Sequence, residues 1–287
     1  MAKVLQGQPC RERLYIVLFT FVFGDFYKED IIAKQKRTIV GSPLTPSLLK
    51  ELGAVDTFPL TSEDFDPEGN WQNTYRIWPC HGYRESGNDN VGYLRIRRTA
   101  DSDDHLALNV YRKVVQTDAL VHILEAKVKC QKNPLASPVA WELESRFVDA
   151  NNNELPQLRK RENGYLTGAV NATGDWCLFE AVQRLAFDKS AGGGLSFNLL
   201  EGLSLSKIGH RLFYRGVYPT KIPGVNSLHC FVQLGSGILP YEYWLDDSHR
   251  LLMVISMNKA YILDNEAEKV IRRIIEKMRK SYRRRKA

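Results

Sequence analysis

The residues of this chain that could do chemistry are a serine between two glycines, six histidines, five cysteines and a set of glutamates interspersed with five tryptophans. A serine hydrolase of the α/β type holds its nucleophile on a strained strand-to-helix turn within a GxSxG pattern. That pattern is absent. Gly235-Ser236-Gly237 links two strand patterns, and no helix follows it to supply amides for an oxyanion. His81, His105, His122, His210, His229 and His249 fall in separate strands and turns rather than at metal-ligand spacing. Cys80-His81 and His229-Cys230 could supply four zinc ligands only by converging. Neighbours on a strand face opposite sides, so each pair reads as one buried Cys and one exposed His. Glu125, Glu142, Glu144, Glu180 and Glu242 could supply the carboxylate pair of a glycosidase, which needs two carboxyls about 5–10 Å apart. Trp71, Trp78, Trp141, Trp176 and Trp244 would then serve as sugar platforms. Outward glutamates are equally what any half-buried sheet displays, and spacing selects no pair. Gly192-Gly193-Gly194 lacks the Lys-Ser/Thr of a phosphate loop. No catalytic residue, metal or cofactor is assigned from these patterns.

The elements that would position such residues are mostly strands. Leu228–Asp264 reads as a meander: Leu228, Cys230, Val232 and Leu234 alternate with polar or aromatic neighbours, then Tyr241, Tyr243 and Leu245, then Leu251, Met253, Ile255 and Met257. Asp246-Asp247-Ser248-His249 forms one connection, because Asp and Ser side chains bond backbone two residues on. Further strand patterns fall at Tyr93–Arg98, Leu106–Val114, Val121–Cys130, Val139–Val148, Tyr165–Ala169, Trp176–Leu185 and Leu212–Tyr218. Trp141, Leu143 and Phe147 face one way and Glu142, Glu144 and Arg146 the other, as in a sheet covered on one side. About ten such strands must close, curl round a helix or stack, since a flat sheet leaves two long edges exposed. The fold class expected is mainly β: a large antiparallel curled sheet, half-barrel or sandwich, with a C-terminal amphipathic helix.

Four segments follow: a possible signal peptide over 1–24, an irregular arm over 25–90 with one short helix at 45–53, the β domain over 91–264, and a basic helix over 265–287. Leu14–Phe23 has the length of a signal-peptide core behind Lys3, Arg11 and Arg13, and is too short to span a bilayer. The same run suits a buried strand. Cleavage after Gly24 would leave Cys80, Cys130, Cys177 and Cys230, an even number compatible with two disulfides in any of three pairings. The net charge of +7 sits in the last segment, where ten Lys/Arg face three Glu. The body is near neutral, which removes the electrostatic case for a nucleic-acid-binding domain. In the last segment Val270, Ile271, Ile274, Ile275, Met278 and Tyr282 form an apolar stripe, while Arg272, Arg273, Lys277 and Lys280 could meet an anionic membrane surface.

The export-like N-terminus followed by this series of strands ending in ILPYEYWLDDSHRLLMVI, and within it Pro240 to Ile255, resembles the curled half-barrels of the periplasmic lipoprotein carriers and their uncharacterised bacterial relatives. The resemblance implies a non-catalytic protein, periplasmic or secreted, whose concave face binds a lipid or other hydrophobic small molecule. The inward apolar residues would be Trp141, Phe147, Trp176, Tyr243, Trp244 and Met253. The alternatives are a carbohydrate-active β-sandwich using a Glu pair with Trp platforms, and an interaction protein using its basic helix.

Overall fold

The structure is a computed structural model and describes residues 65–79, 91–116, 120–166, 171–188, 194–220, 224–256 and 259–286. These fall within one compact unit, Ile39–Ala287. The segment 1–24, the short helix at 45–53, Cys10 and Cys80 lie outside the described residues.

Among the described residues, thirteen strands form one sheet. They are β1 (Trp71–Pro79), β2 (Val91–Ala100), β3 (His105–Val115), β4 (Val121–Gln131), β5 (Pro138–Val148), β6 (Lys160–Tyr165), β7 (Ala172–Gly174), β8 (Leu195–Glu201), β9 (Leu205–Pro219), β10 (Ser227–Leu234), β11 (Tyr241–Leu245), β12 (Leu251–Ile255) and β13 (Lys259–Leu263). The order across the sheet is β6-β5-β4-β3-β2-β1-β13-β12-β11-β10-β9-β8-β7. All pairings are antiparallel except β7 with β8. The chain thus starts at the centre, walks out to one edge, crosses to the other and walks back. Its first and last strands meet through Tyr75↔Leu263 and Ile77↔Tyr261.

That route forces curvature. Thirteen flat strands would be about 58 Å wide, yet the edge strands β6 and β7 are joined by residues 166–171 alone, a link that reaches at most about 25 Å. The sheet must therefore curl until its edges approach one another. What it curls round is helix α1 (Asp175–Ala181), whose residues from Trp176 onward are all buried. Phe179 meets Tyr75 of β1, Tyr243 of β11 and Tyr261 of β13 edge to face, at 5.4, 6.2 and 5.4 Å between ring centres.

Three expectations need correction. Trp176–Leu185 is not a strand but α1 and the turn after it. A helix buried on every side carries no apolar periodicity to read, and Asp175 in its first turn suits the positive end of a helix. The arm over 25–90 contains β1, a central strand whose buried Asn73 interrupts the apolar alternation of Trp71, Tyr75 and Ile77. Where a strand starting at Tyr165 is expected, Lys160–Tyr165 forms a polar edge strand, and residues 167–169 of the expected strand lie outside the described residues. The meander from β10 to β13 stands as expected over its described residues, with Met257 outside them, and its second turn is built as the sequence implied: Asp246 accepts the Ser248 and Arg250 amides at 3.0 and 2.9 Å.

On the convex side lies helix α2 (Ala267–Lys286). Ala267, Ile271 and Ile275 pack on Tyr93, Val115, Val121, Ile123 and Val148, with Ile274 and Met278 at the margin. Asp264 accepts the Glu266 amide at 2.9 Å just before the helix and pairs with Arg76 at 2.7 Å. No described helix is long and apolar enough to cross a membrane.

Candidate functional site

The structure does not gather the six expected ligand residues into one open groove. Trp141, Phe147, Trp176 and Tyr243 belong to the concave side. Trp244 and Met253 pair with each other one residue out of step with Tyr243 and Val254, so they face the convex side. Trp176, Tyr243, Trp244 and Met253 are buried, and Trp141 and Phe147 are half-buried. Trp141 lies against Gly164 on β6, where a Cβ would come within 2.2 Å of its ring, and Phe147 stacks on His122 at 4.5 Å. Between these walls the space belongs to α1.

The attachment of α1 is ionic as well as apolar. Glu180, fully buried, accepts from Arg98 Nε at 2.9 Å and from Arg184 Nε and Nη2 at 2.6 and 2.9 Å. Arg98 also donates to the carbonyls of Glu68 and Gly69. Its guanidinium and the Glu180 carboxylate thus satisfy one another inside the curl, as buried charges must. Nearby, Cys130 of β4 and Cys177 of α1 bring their sulfurs to 3.8 Å. At the start of α1, burial pushes the Asp175 carboxyl up to about 6, although the Gly202 amide donates to it at 3.0 Å.

A second cluster, which sequence reading missed, sits at the β9–β12 corner. Tyr214 Oη and His229 Nδ1 are 2.8 Å apart, and His229 Nε2 lies 3.0 Å from Asp247, which also accepts from Ser227. An Asp–His–Tyr relay invites a catalytic interpretation, and two observations oppose it. Phe187 stacks between His229 and His249 at 3.6 and 3.9 Å, closing a face of each imidazole. Burial raises the Tyr214 phenol rather than activating it. The cluster fastens the β11–β12 turn to β9 and β10. His229 and Cys230 do face opposite sides, and no group of three metal-ligating side chains occurs among the described residues.

An open trough of about 1220 Å³ runs across β1–β6, lined by polar side chains of the convex side together with Leu203 and Ser204 of the turn between β8 and β9. Strand register arranges its polar side chains in two rows. The first is Arg95–Tyr111–Glu125–Glu144–Arg161, each residue paired with the next across neighbouring strands. The second, one step along the strands, is Gln72–Arg97–Asn109–Lys127–Glu142–Asn163.

The rows differ in how the protein uses them. In the first, Arg146 bridges to Glu125 at 2.7 Å, while Glu144 accepts from Arg159 and Arg161 at 2.5 and 2.9 Å. Arg95 pairs with Glu268 of α2 at 3.3 Å and lies 5.2 Å over the Tyr111 ring. In the second row all six side chains are exposed, and none is hydrogen-bonded or ion-paired to another described residue. Of the expected glutamates, Glu125 and Glu144 are direct neighbours across β4 and β5, and hydrogen bonds from Arg161 and then Arg159 hold Glu144 below the usual carboxylate range, the state of a carboxylate and the opposite of what a general acid needs.

No protein-family model matches the chain, and no curated protein matches it. Among solved structures it is similar to a β-barrel-like protein of a domain of unknown function from Brucella abortus. The identity is 6% and the TM-score 0.41, over 67% of this chain and 94% of that one.

The basic face expected on the last helix is in place. Arg272, Arg273, Lys277 and Lys280 are all exposed on α2, and Arg272 is shared with Glu268 at 3.3 Å.

Proposed function

We propose that this chain is a non-enzymatic, exported protein that binds an acidic oligosaccharide along the second polar row of its convex side. The observation that carries the proposal is the state of that row: two cations, one carboxylate and three amides, aligned across six strands and without partners among the described residues. Such a row spans about 24 Å, which suits a polymer rather than a single small molecule. Amides and carboxylates hydrogen-bond hydroxyls, and Arg97 and Lys127 supply charge-assisted bonds to carboxylates. Glu268 of α2 pairs with Arg95 at the trough wall, so the exposed cations of α2 lie on this same side and favour an anionic ligand. Export rests on the pattern of residues 14–23, and the periplasm or the exterior is the compartment that follows.

A hydrophobic ligand on the concave side is the rival, and magnitudes weigh against it. Trp176, Leu178 and Phe179 of α1 are buried there, at about 1.5–3 kcal/mol each. Expelling α1 would also leave Arg98 without Glu180, which costs about 3–5 kcal/mol. A sixteen-carbon chain gains about 12 kcal/mol at 0.8 per methylene, so it would barely break even before any association cost.

Isothermal titration with a hexauronate, maltohexaose, palmitate and vesicles of anionic phospholipid separates the cases. The expected result is saturable hexauronate binding that weakens as salt is raised, with weaker maltohexaose binding and none of palmitate. Absence of binding to both sugars overturns the proposal. Binding only to the vesicles transfers the role to Arg272, Arg273, Lys277 and Lys280 of α2.

A further inference from the structure

We infer that Cys130 and Cys177 are a disulfide site that ties α1 to β4. Their sulfurs are 3.8 Å apart, both side chains are buried, and one projects from the concave face of β4 while the other projects from the helix that fills it. A disulfide needs about 2.05 Å between sulfurs, so the two free thiols are already within van der Waals contact of the atom each would bond. The third described cysteine is excluded by position. Cys230 pairs with Trp244 on β11, which places it on the convex side of the sheet, away from α1. Of the three pairings open to Cys80, Cys130, Cys177 and Cys230, the fold thus selects the one containing Cys130–Cys177.

The chemistry is thiol–disulfide exchange with a small-molecule or enzymatic disulfide as oxidant. One cysteine thiolate attacks the oxidant's S–S bond, forming a mixed disulfide and expelling one thiolate. The second cysteine thiolate then attacks the mixed disulfide, forming Cys130–Cys177 and expelling the other. The chain loses two electrons and two protons, and the oxidant becomes two thiols. Hydrogen bonding to Cys177 and burial both raise the Cys130 thiol well above its usual range, so exchange is slow in the finished fold. Oxidation belongs to folding, before α1 is enclosed. Once formed, the bond is shielded from reductants by the same burial. The site stands whether or not the convex row binds sugar.

The test is refolding of the full chain from urea into a mixture of oxidised and reduced glutathione, followed by alkylation and peptide mapping without reduction. The expected product is a linked peptide pair containing Cys130 and Cys177. Its thermal midpoint should lie about 10 °C above that of the same chain after reduction in urea and refolding without oxidant. Cys130→Ser and Cys177→Ser should each abolish that difference between oxidised and reduced samples. Alkylation of both cysteines after oxidising refolding, or linkage of either to Cys10, Cys80 or Cys230, would overturn the inference. So would an oxidation-dependent midpoint shift that survives both substitutions.

Discussion

The concave and convex sides of this sheet use the same kinds of charged residue in opposite ways. Inside, Arg98, Glu180 and Arg184 complete one another's hydrogen bonds, and Arg98 also takes two backbone carbonyls. Outside, Arg97, Lys127 and Glu142 are exposed and have no described partner. Arg97 and Arg98 are neighbours in sequence, separated only by the alternation of one strand. The inner arginine belongs to the fold, which cannot leave a buried charge unpaired. The outer one is free to recognise something else. The first convex row stands between these cases, charged like the second but already neutralised by Arg161 within it and Arg146 beside it.

The largest effect on stability comes from the inner charge. Arg98→Ala leaves Glu180 with only Arg184 and removes the hydrogen bonds to Glu68 and Gly69. It is expected to destabilise by about 3–5 kcal/mol, read as a fall in the urea midpoint. A loss below 1 kcal/mol would mean that α1 is not held by this pair.

Next comes Asp175, whose carboxyl is raised from 3.8 to about 6 by burial. The folded state then holds a proton more tightly than the unfolded chain. Stability from this group is full below about pH 3.8 and is lost as pH rises through about 6, by about 3 kcal/mol. Asp175→Asn, which keeps an oxygen for the Gly202 amide, is expected to match wild type near pH 4 and exceed it at pH 8. Parallel stability curves for the two proteins from pH 4 to 8 would contradict this.

Smaller still is the effect at the sheet edge. Gly164→Ala puts a Cβ into the Trp141 ring and is expected to cost about 1–3 kcal/mol, with a change in near-ultraviolet circular dichroism as the indole shifts. Smallest of all is the convex row, where Arg97→Ala or Lys127→Ala is expected to alter stability by no more than about 0.5 kcal/mol.

The sequence made one half of this contrast legible and hid the other. The meander, the turn at Asp246 and the terminal helix follow from alternation, self-bonding side chains and a stripe at helical spacing, all of them local signals. Trp141 and Leu143 opposite Glu142 and Glu144 also told which faces differ. Which residues line up across strands is a matter of register, and register was not written in any one segment. Arg97, Asn109, Lys127 and Glu142 come from four strands and become a row only when those strands pair. The plug was hidden for a different reason: Trp176–Ala181 is apolar nearly all round, so a buried helix and a buried strand read alike. Tyr243 and Trp244 could not both face inward, and alternation alone was enough to say so.

The most direct test of the contrast is titration of hexauronate into wild type and the Arg97→Ala/Lys127→Ala double variant, with thermal midpoints measured on the same samples. Loss of two charge-assisted contacts should weaken binding about 100-fold or more while the midpoint stays within about 2 °C of wild type. Equal affinities for the two proteins would show that the exposed row is a solvated sheet face and not a binding surface.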